Sequence, residues 1–309
     1  MTKYWRKKTV LVKLETAYGV DPTPTGAANA VLTTDFKIMP MEGNDVSRNL
    51  EQPYLGAQGT LPVELHTKVT FNVELEPSGT AGTAPAWGPL LRACAVAETV
   101  TALTSVTYNP VSDNHESVTL WFGLDGTKFV STGMRGDCSL DFTAQGIPYL
   151  RFTFTGLFTQ PTEEAVPTPT LAAYKKPQVV TQANTTFSLG GLSLVLRKLM
   201  LALGNDVQPS FLVGEELVDI TDKAEMVDFT VKAVPLTTFD PYAAALSDDD
   251  LALILVHGKA AGRIATLAMP KIEIQRPQGL EDVQGKVEWP LKAQPLPTAG
   301  NDQWTLTLT

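Results

Sequence analysis

The sequence predicts a mainly β protein, built as two tandem β-sandwich units that each carry a short flanking helix. Three observations lead there. Of the 309 residues 43% are hydrophobic and only 18% charged, with Thr, Gly, Pro and Val prominent and no long amphipathic helical run. Several segments alternate strictly between apolar and polar residues, the period of a strand with one dry and one wet face. The tetrapeptide Gly-Asn-Asp-Val occurs twice, at 43–46 and 204–207, and the order of patterns after each copy is the same.

That order runs as follows. "VTFNVELEP" and "MVDFTVKAVP" are strand patterns closed by proline. "AWGPLLRACAVA" and "YAAAL" are short helical segments. "VTLWFGLDGTKFVST" and "LALILVHGKAAGRIATLAM" read as strand, glycine turn, strand. "DCSLDFTAQGIPYLRFTFTGLF" and "KIEIQRPQGLEDVQGKVEWPLKAQ" read as hairpins. The offset is 161 residues at the tetrapeptides and 136 at the glycine turns, Gly126 and Gly262. Such drift belongs in loops, where insertions are tolerated. Any two β domains share some of this rhythm, so a chance likeness is the competing account. The division that follows is an N-terminal arm at 1–34, a first unit at 35–160, a Pro-rich linker at 161–182 and a second unit at 183–309.

Taken in order, the arm is locally basic through Lys3, Arg6, Lys7, Lys8 and Lys13. Val69, Phe71, Val73 and Leu75 form a dry face opposite Thr70, Asn72 and Glu74. Residues 77–88, "PSGTAGTAPAWG", read as an exposed loop entering a helix on which Trp87, Leu90, Leu91 and Cys94 share a face. Cys138, Leu140 and Phe142 oppose Asp137 and Asp141, and Phe152 and Phe154 oppose Arg151 and Thr153. The linker carries Pro161, Pro167, Pro169 and Pro177, which favour extended chain. In the second half Val227, Phe229 and Val231 oppose Asp228, Thr230 and Lys232. Ile272 and Ile274 oppose Glu273, and Val287 and Trp289 oppose Glu288. Residues 247–251, "SDDDL", read as an acidic turn. No apolar run is long enough for a bilayer; "LSLVLRKLMLALG" is short and broken by Arg197 and Lys198. The N-terminus lacks a signal peptide's apolar core.

The net charge of −9 is shared evenly: residues 1–165 carry 12 basic and 17 acidic side chains, residues 166–309 carry 12 and 16. Tight nucleic-acid binding needs a basic stripe, which only residues 3–13 approach. His66, His115 and His257 lack zinc spacing. "SDNHE" and "SDDDL" do not follow a calcium-loop pattern. "RGDCSL" is no nucleophile elbow. No phosphate loop or dinucleotide fingerprint occurs, so neither a catalytic site nor a cofactor is expected. Cys94 and Cys138 read as buried free thiols.

The run "KLETAYGVDPTPTGAANAVLT", residues 13–33, resembles the start of the tail tube (major tail) proteins of long-tailed, non-contractile bacteriophages, where a phrase of the form ETxYGxDPxPTGAxNA leads into a β-rich body. The resemblance implies a structural virion protein, assembled in the bacterial host cytoplasm, whose subunits close into rings with an inner β-barrel. The rings stack into the tube through which DNA is ejected. It implies partners: other copies of the chain, a tape measure protein, a tail terminator and passing DNA that is not tightly bound. Two fused copies per chain would close a pseudo-sixfold ring with three chains. Thr70, Asn72, Glu74, Asp137, Asp141, Asp228, Thr230, Lys232, Glu273 and Glu288 are then expected to face the lumen. The basic arm and the 77–88 loop are expected to bridge rings. The alternatives are a β-sandwich binding or decoration module on a virion or cell surface, with Trp87, Trp121 or Trp304 on its loops, and a hydrolase with an unrecognised site.

Overall fold

The computed structural model describes residues 2–172, 174–247 and 250–309. The expected acidic turn at 247–251 thus falls partly outside the described residues. The first half contains β1 (Lys8–Leu14), β2 (Ala30–Val31), β3 (Thr34–Ser47), β4 (Thr60–Glu74), α1 (Gly88–Arg92), β5 (Val96–Thr101), β6 (Ser105–Pro110), β7 (Val118–Leu124), β8 (Thr127–Thr143) and β9 (Tyr149–Leu157). The second contains β10 (Thr185–Leu189), β11 (Leu192–Ser193), β12 (Leu196–Ala202), β13 (Asn205–Leu212), β14 (Glu215–Lys223), β15 (Met226–Lys232) and α2 (Pro241–Leu246). After these come β16 (Leu251–His257), β17 (Ala265–Ile274), β18 (Glu281–Val283), β19 (Lys286–Pro295) and β20 (Thr305–Leu308). The protein is mainly β.

Every long strand pairs antiparallel, and the two halves pair in the same order. In the first, β1 lies beside β7, then β8, β9, β4 and β3. In the second, β10 lies beside β16, then β17, β19, β15 and β12. Matching the ladders pair by pair sets Val69, Phe71 and Val73 on Val227, Phe229 and Val231, and Gly136 on Ile274.

The alternating strands bury their apolar residues as the period requires. Phe71, Phe152 and Phe154 form one aromatic cluster, with centroids 5.6–6.0 Å apart, and Phe36 stacks on Phe122 at 4.4 Å to join it to the β1–β7 layer. Leu90 and Leu91 of α1 are buried together with Trp87 and Cys94, which flank it, and Trp87 Nε1 donates to the Glu76 carbonyl at 3.0 Å. In the second half Phe187 of β10 meets Phe229 at 6.0 Å, and Phe239, just before α2, meets Trp289 at 6.0 Å. Asp240 caps α2, accepting from Tyr242 N and Ala243 N, and Pro241 fills the first turn, where its missing N–H costs nothing. Both cysteines are free and buried.

Two seams join the halves into one sheet. Strand β12 pairs with the C-terminal part of β8, from Lys198↔Thr143 to Ala202↔Ser139. Strand β20 lies between β17 and β6, pairing Leu306 with Leu267 and with Tyr108. Among the described residues the β5–β6 hairpin that reaches β20 has no counterpart between α2 and β16.

Three expectations need revising. The proposed arm at 1–34 contains β1, whose Val10, Leu11 and Val12 are buried against β7, so it is part of the first unit rather than a separate arm. The linker is docked: Thr162 bridges Lys128, Thr170 N donates to the Gly26 carbonyl at 2.7 Å, and Val180 N donates to the Gly146 carbonyl at 2.9 Å. The 77–88 loop lies against the second half, where Gly79 N donates to the Gly262 carbonyl at 3.0 Å and Glu76 pairs with Arg263 at 2.6 Å.

Burial holds His257 and His115 below the ordinary histidine range. Lys223 and then Arg135 add to the effect at His115, and the Thr185 hydroxyl lies 2.8 Å from His257 Nδ1. The unfolded chain takes up these protons near pH 6.5, before the folded one does. Stability is therefore full above about pH 6.5 and falls as the pH drops from there toward the lowered folded values. The expected result is a lower denaturant midpoint at pH 5.5 than at pH 7.5, with a smaller difference in His257→Gln.

Candidate functional site

Eight strands drawn from both halves form one continuous sheet: β3, β4, β9, β8, β12, β15, β19 and β17. Residues paired across antiparallel strands share a face, so the ladders trace that face residue by residue. One row runs Lys37, Thr70, Thr153, Asp137. A second runs Asn72, Arg151, Ser139, Ala202, Met226. A third runs Glu74, Tyr149, Asp141, Met200, Asp228, Lys292. Thr230 with Pro290, Lys232 with Glu288, and Glu273 with Gln294 complete it. The ten residues read from alternation as polar-face candidates therefore share one surface, although they come from five strands.

Two of the ten are covered in the isolated chain. Thr230 is 1% exposed, because residues 276–280 cross over this part of the sheet and enclose a cavity of about 280 Å³ with Lys198, Asp228 and Lys292. Glu288 is 5% exposed, held by Arg197 Nη2 at 2.5 Å; this guanidinium keeps its carboxyl below the usual range. Val287, expected to be buried beside Trp289, is 49% exposed, since the β18–β19 hairpin runs past the packed core.

The charge of this face is mixed in sign. Lys37, Arg151, Lys198, Lys232 and Lys292 share it, and several acids are paired: Asp141 with Arg151 at 2.6 Å and Asp228 with Lys292 at 3.9 Å. Burial pushes the carboxyls of Glu74 and Asp137 upward. The surface is charge-mixed rather than negative.

The basic N-terminal residues bind their own chain. Lys3 contacts Glu163, Lys7 reaches Asp125 at 3.0 Å, Lys8 sits 3.6 Å over the Trp5 ring, and Lys13 Nζ donates to the Pro22 carbonyl at 2.8 Å. Arg6 is exposed.

The 15–29 phrase is a structural knot that sequence reading alone did not explain. The Glu15 carboxylate accepts from Gly19 N (2.8 Å), Ser117 Oγ (2.6 Å), Thr119 Oγ1 (2.6 Å) and Gly133 N (2.7 Å). Tyr18 donates to the Gly133 carbonyl and accepts from Val218 N in the other half at 2.6 Å. Asp21 accepts from Trp121 Nε1 at 3.0 Å.

The doubled tetrapeptide marks one joint in each half. At both, a long hairpin leaves the main sheet as an arm: residues 43–65 in the first half, residues 204–223 in the second. Gly204 has φ +64°, and a Cβ there would lie 2.1 Å from the Ala224 carbonyl oxygen; at Gly43 it would lie 2.6 Å from the Val63 oxygen. Asn205 then locks the second arm to β8. Its N–H donates to Asp137 at 3.0 Å, and its amide to the carbonyls of Cys94 (2.8 Å) and Gly136 (3.0 Å). Farther out, Arg135 donates to Asp219 at 2.8 Å and Phe211 stacks on His66 at 6.1 Å.

Among the described residues no group of three or more His, Cys, Asp or Glu could hold a metal ion. Trp87 and Trp304 are 1% exposed and Trp121 is bonded to Asp21, so the three tryptophans considered for a glycan- or receptor-binding module are engaged within the chain. Among the described residues no helix is long and apolar enough to cross a membrane.

A two-faced sheet shared by two like halves, held by strand seams and leaving long edges unpaired, defines a structural building block. The chain belongs to the phage tail tube protein family, whose model matches residues 5–298. No curated protein matches it. Membership makes it a structural component of the phage tail.

Proposed function

We propose that three chains close edge to edge into a ring and that stacked rings form the conduit through which phage DNA leaves. The observation that carries this is the state of the two ends of the eight-stranded sheet. Among the described residues β3 pairs only with β4, which leaves one long edge open, and at the other end the residues after β17, matched to the part of β8 that holds β12, form no strand and lie over the sheet face. Long unpaired edges invite pairing with another chain. The seam between β8 and β12 inside the chain is the pattern for the seam between chains, with β3 taking the part of β12.

Strand spacing supports a ring of three chains. At about 4.8 Å per strand, eight strands span roughly 38 Å of arc. Two chains would give a barrel only about 24 Å across its backbone, too narrow for duplex DNA of roughly 20 Å once side chains are added. Three chains supply 24 strands and about 37 Å, more with the usual strand tilt. The charge-mixed face lines this lumen. Acids and bases neutralised in place present little net field, so a polyanion gains few lasting contacts as it slides.

Electron microscopy of the purified protein tests the reading. Tubes whose rings hold three chains are expected; six chains per ring would overturn the stoichiometry, and globules alone would overturn the function. Changing Glu74, Asp228 and Glu273 to Lys together is expected to leave tubes intact and slow DNA ejection at least tenfold, because each ring then adds nine lysines facing phosphate. Unchanged ejection kinetics would remove these residues from the lumen.

A further inference from the structure

The two arms differ in one respect that the shared topology does not require. The second is seated: Val218 is fully buried and Ile220 is 5% exposed between the halves. The first is bare. Met39, Met41, Val46, Leu50, Leu61 and Val63 are all exposed on or beside it. Pairing relates the two directly. Val46↔Leu61 in the first arm corresponds to Val207↔Ile220 in the second, the valines being the last residues of the two tetrapeptides. Leu61, 58% exposed, is thus the counterpart of buried Ile220. Asn44 is the counterpart of Asn205, but its amide reaches only Glu64 of its own arm.

The seat has a counterpart as well. Gly136 and Asp137, which hold Asn205, match Ile274 and Gln275 at the end of β17. That position holds no arm in the isolated chain. A contiguous apolar surface with a vacant matching seat elsewhere on the same molecule describes a head-to-tail contact.

We propose that the first arm is the element by which one chain grips the next within a ring. It seats on the neighbour's second half as the 204–223 arm seats on the first half of its own chain. Asn44 then meets the Ile274 carbonyl and the Gln275 side chain of the next chain, and Leu61 is buried in the seam. The occupant is a second copy of this chain, because the seated example lies within the molecule. The inference rests on the ring reading above and adds which segment grips and where.

Cross-linking tests it. Asn44→Cys with Gln275→Cys is treated with a short bismaleimide in tubes verified by microscopy; buried Cys94 and Cys138 stay silent, as each single variant verifies. Chains linked into multimers of up to three on a denaturing gel are expected. The internal control, Asp137→Cys with Asn205→Cys, links within one chain and leaves its mass class unchanged. Tubes without linked multimers would overturn the seating while leaving the ring intact. Should the double variant not assemble, Leu61→Glu decides: the proposal expects at least a tenfold higher concentration for assembly at an unchanged unfolding midpoint, and unaltered assembly would overturn it. A wild-type protein that forms no rings removes the ring reading itself, and the seating with it.

Discussion

Glu15→Ala is expected to lower the stability of the isolated subunit by about 3–5 kcal/mol, the range for stripping the acceptor from several buried donors at once. The carboxylate takes four hydrogen bonds from three parts of the first half, and among those donors Thr119 is fully buried. Alanine fills none of the space and leaves Gly133 N and Thr119 Oγ1 facing each other without an acceptor. In a thermal melt the midpoint should fall by roughly 10 °C. Glu15→Gln separates charge from geometry. One oxygen survives, while the new NH2 group opposes the donors at Gly19 and Ser117 or those at Thr119 and Gly133, so about half the loss should remain. A melt unchanged by Glu15→Ala would show that water or rearrangement satisfies these donors.

The second large effect is expected at the joints of the arms. Gly204→Ala places a methyl 2.1 Å from the Ala224 oxygen at a φ of +64°. The conformation alone costs about 1 kcal/mol, and the contact forces one backbone strand away from the other. Because the joint is pinned to β8 through Asn205, the displacement spreads into the seam between the halves, and a loss of about 3 kcal/mol or more is expected. Gly43→Ala is the informative partner. Its clash, 2.6 Å to the Val63 oxygen, falls on an arm that nothing holds in the isolated chain, so the arm can yield. The subunit should melt within about 1 kcal/mol of wild type yet assemble poorly. Equal destabilisation by both substitutions, measured by denaturant titration, would contradict the different settings of the two arms.

Much of the sheet was legible because period-2 alternation reports directly on a one-sided face. Val69, Phe71 and Val73 are buried as that pattern requires, and Thr70, Asn72 and Glu74 lie opposite. What alternation does not carry is the partner of each strand. Nothing in "LSLVLRKLMLALG" announces that Lys198–Ala202 pairs with Ser139–Thr143, and this seam is what brings residues from both halves onto one surface. The β5–β6 hairpin was missed because its polar positions, Thr99 and Thr107 among them, are common in turns as well as strands. Val287 misled because alternation shows which way a side chain points, while burial depends on whether another layer lies beyond it. The 15–29 phrase was recognisable as a pattern, but its meaning is four converging hydrogen bonds, three of whose donors lie 102, 104 and 118 residues away. Lys198 and Lys292 went unplaced for the same reason: they join the polar face only through pairing.

The β6–β20 seam has a consequence for how a nascent chain matures. Tyr108 waits for Leu306, a partner that emerges roughly 200 residues later, or about 10–40 s at ordinary rates of translation. During that interval the first half can close its own ladders, but the outer edge of β6 has nothing to bind, and contacts of such long range form late in any case. A strand edge left open for tens of seconds in a crowded cell is a template for the wrong chain. The β6 edge is short, six residues, and includes Asn109 and Pro110, the latter without an N–H to offer. Those features shield the unfinished molecule until β20 arrives, so its maturation is timed by synthesis as well as by stability.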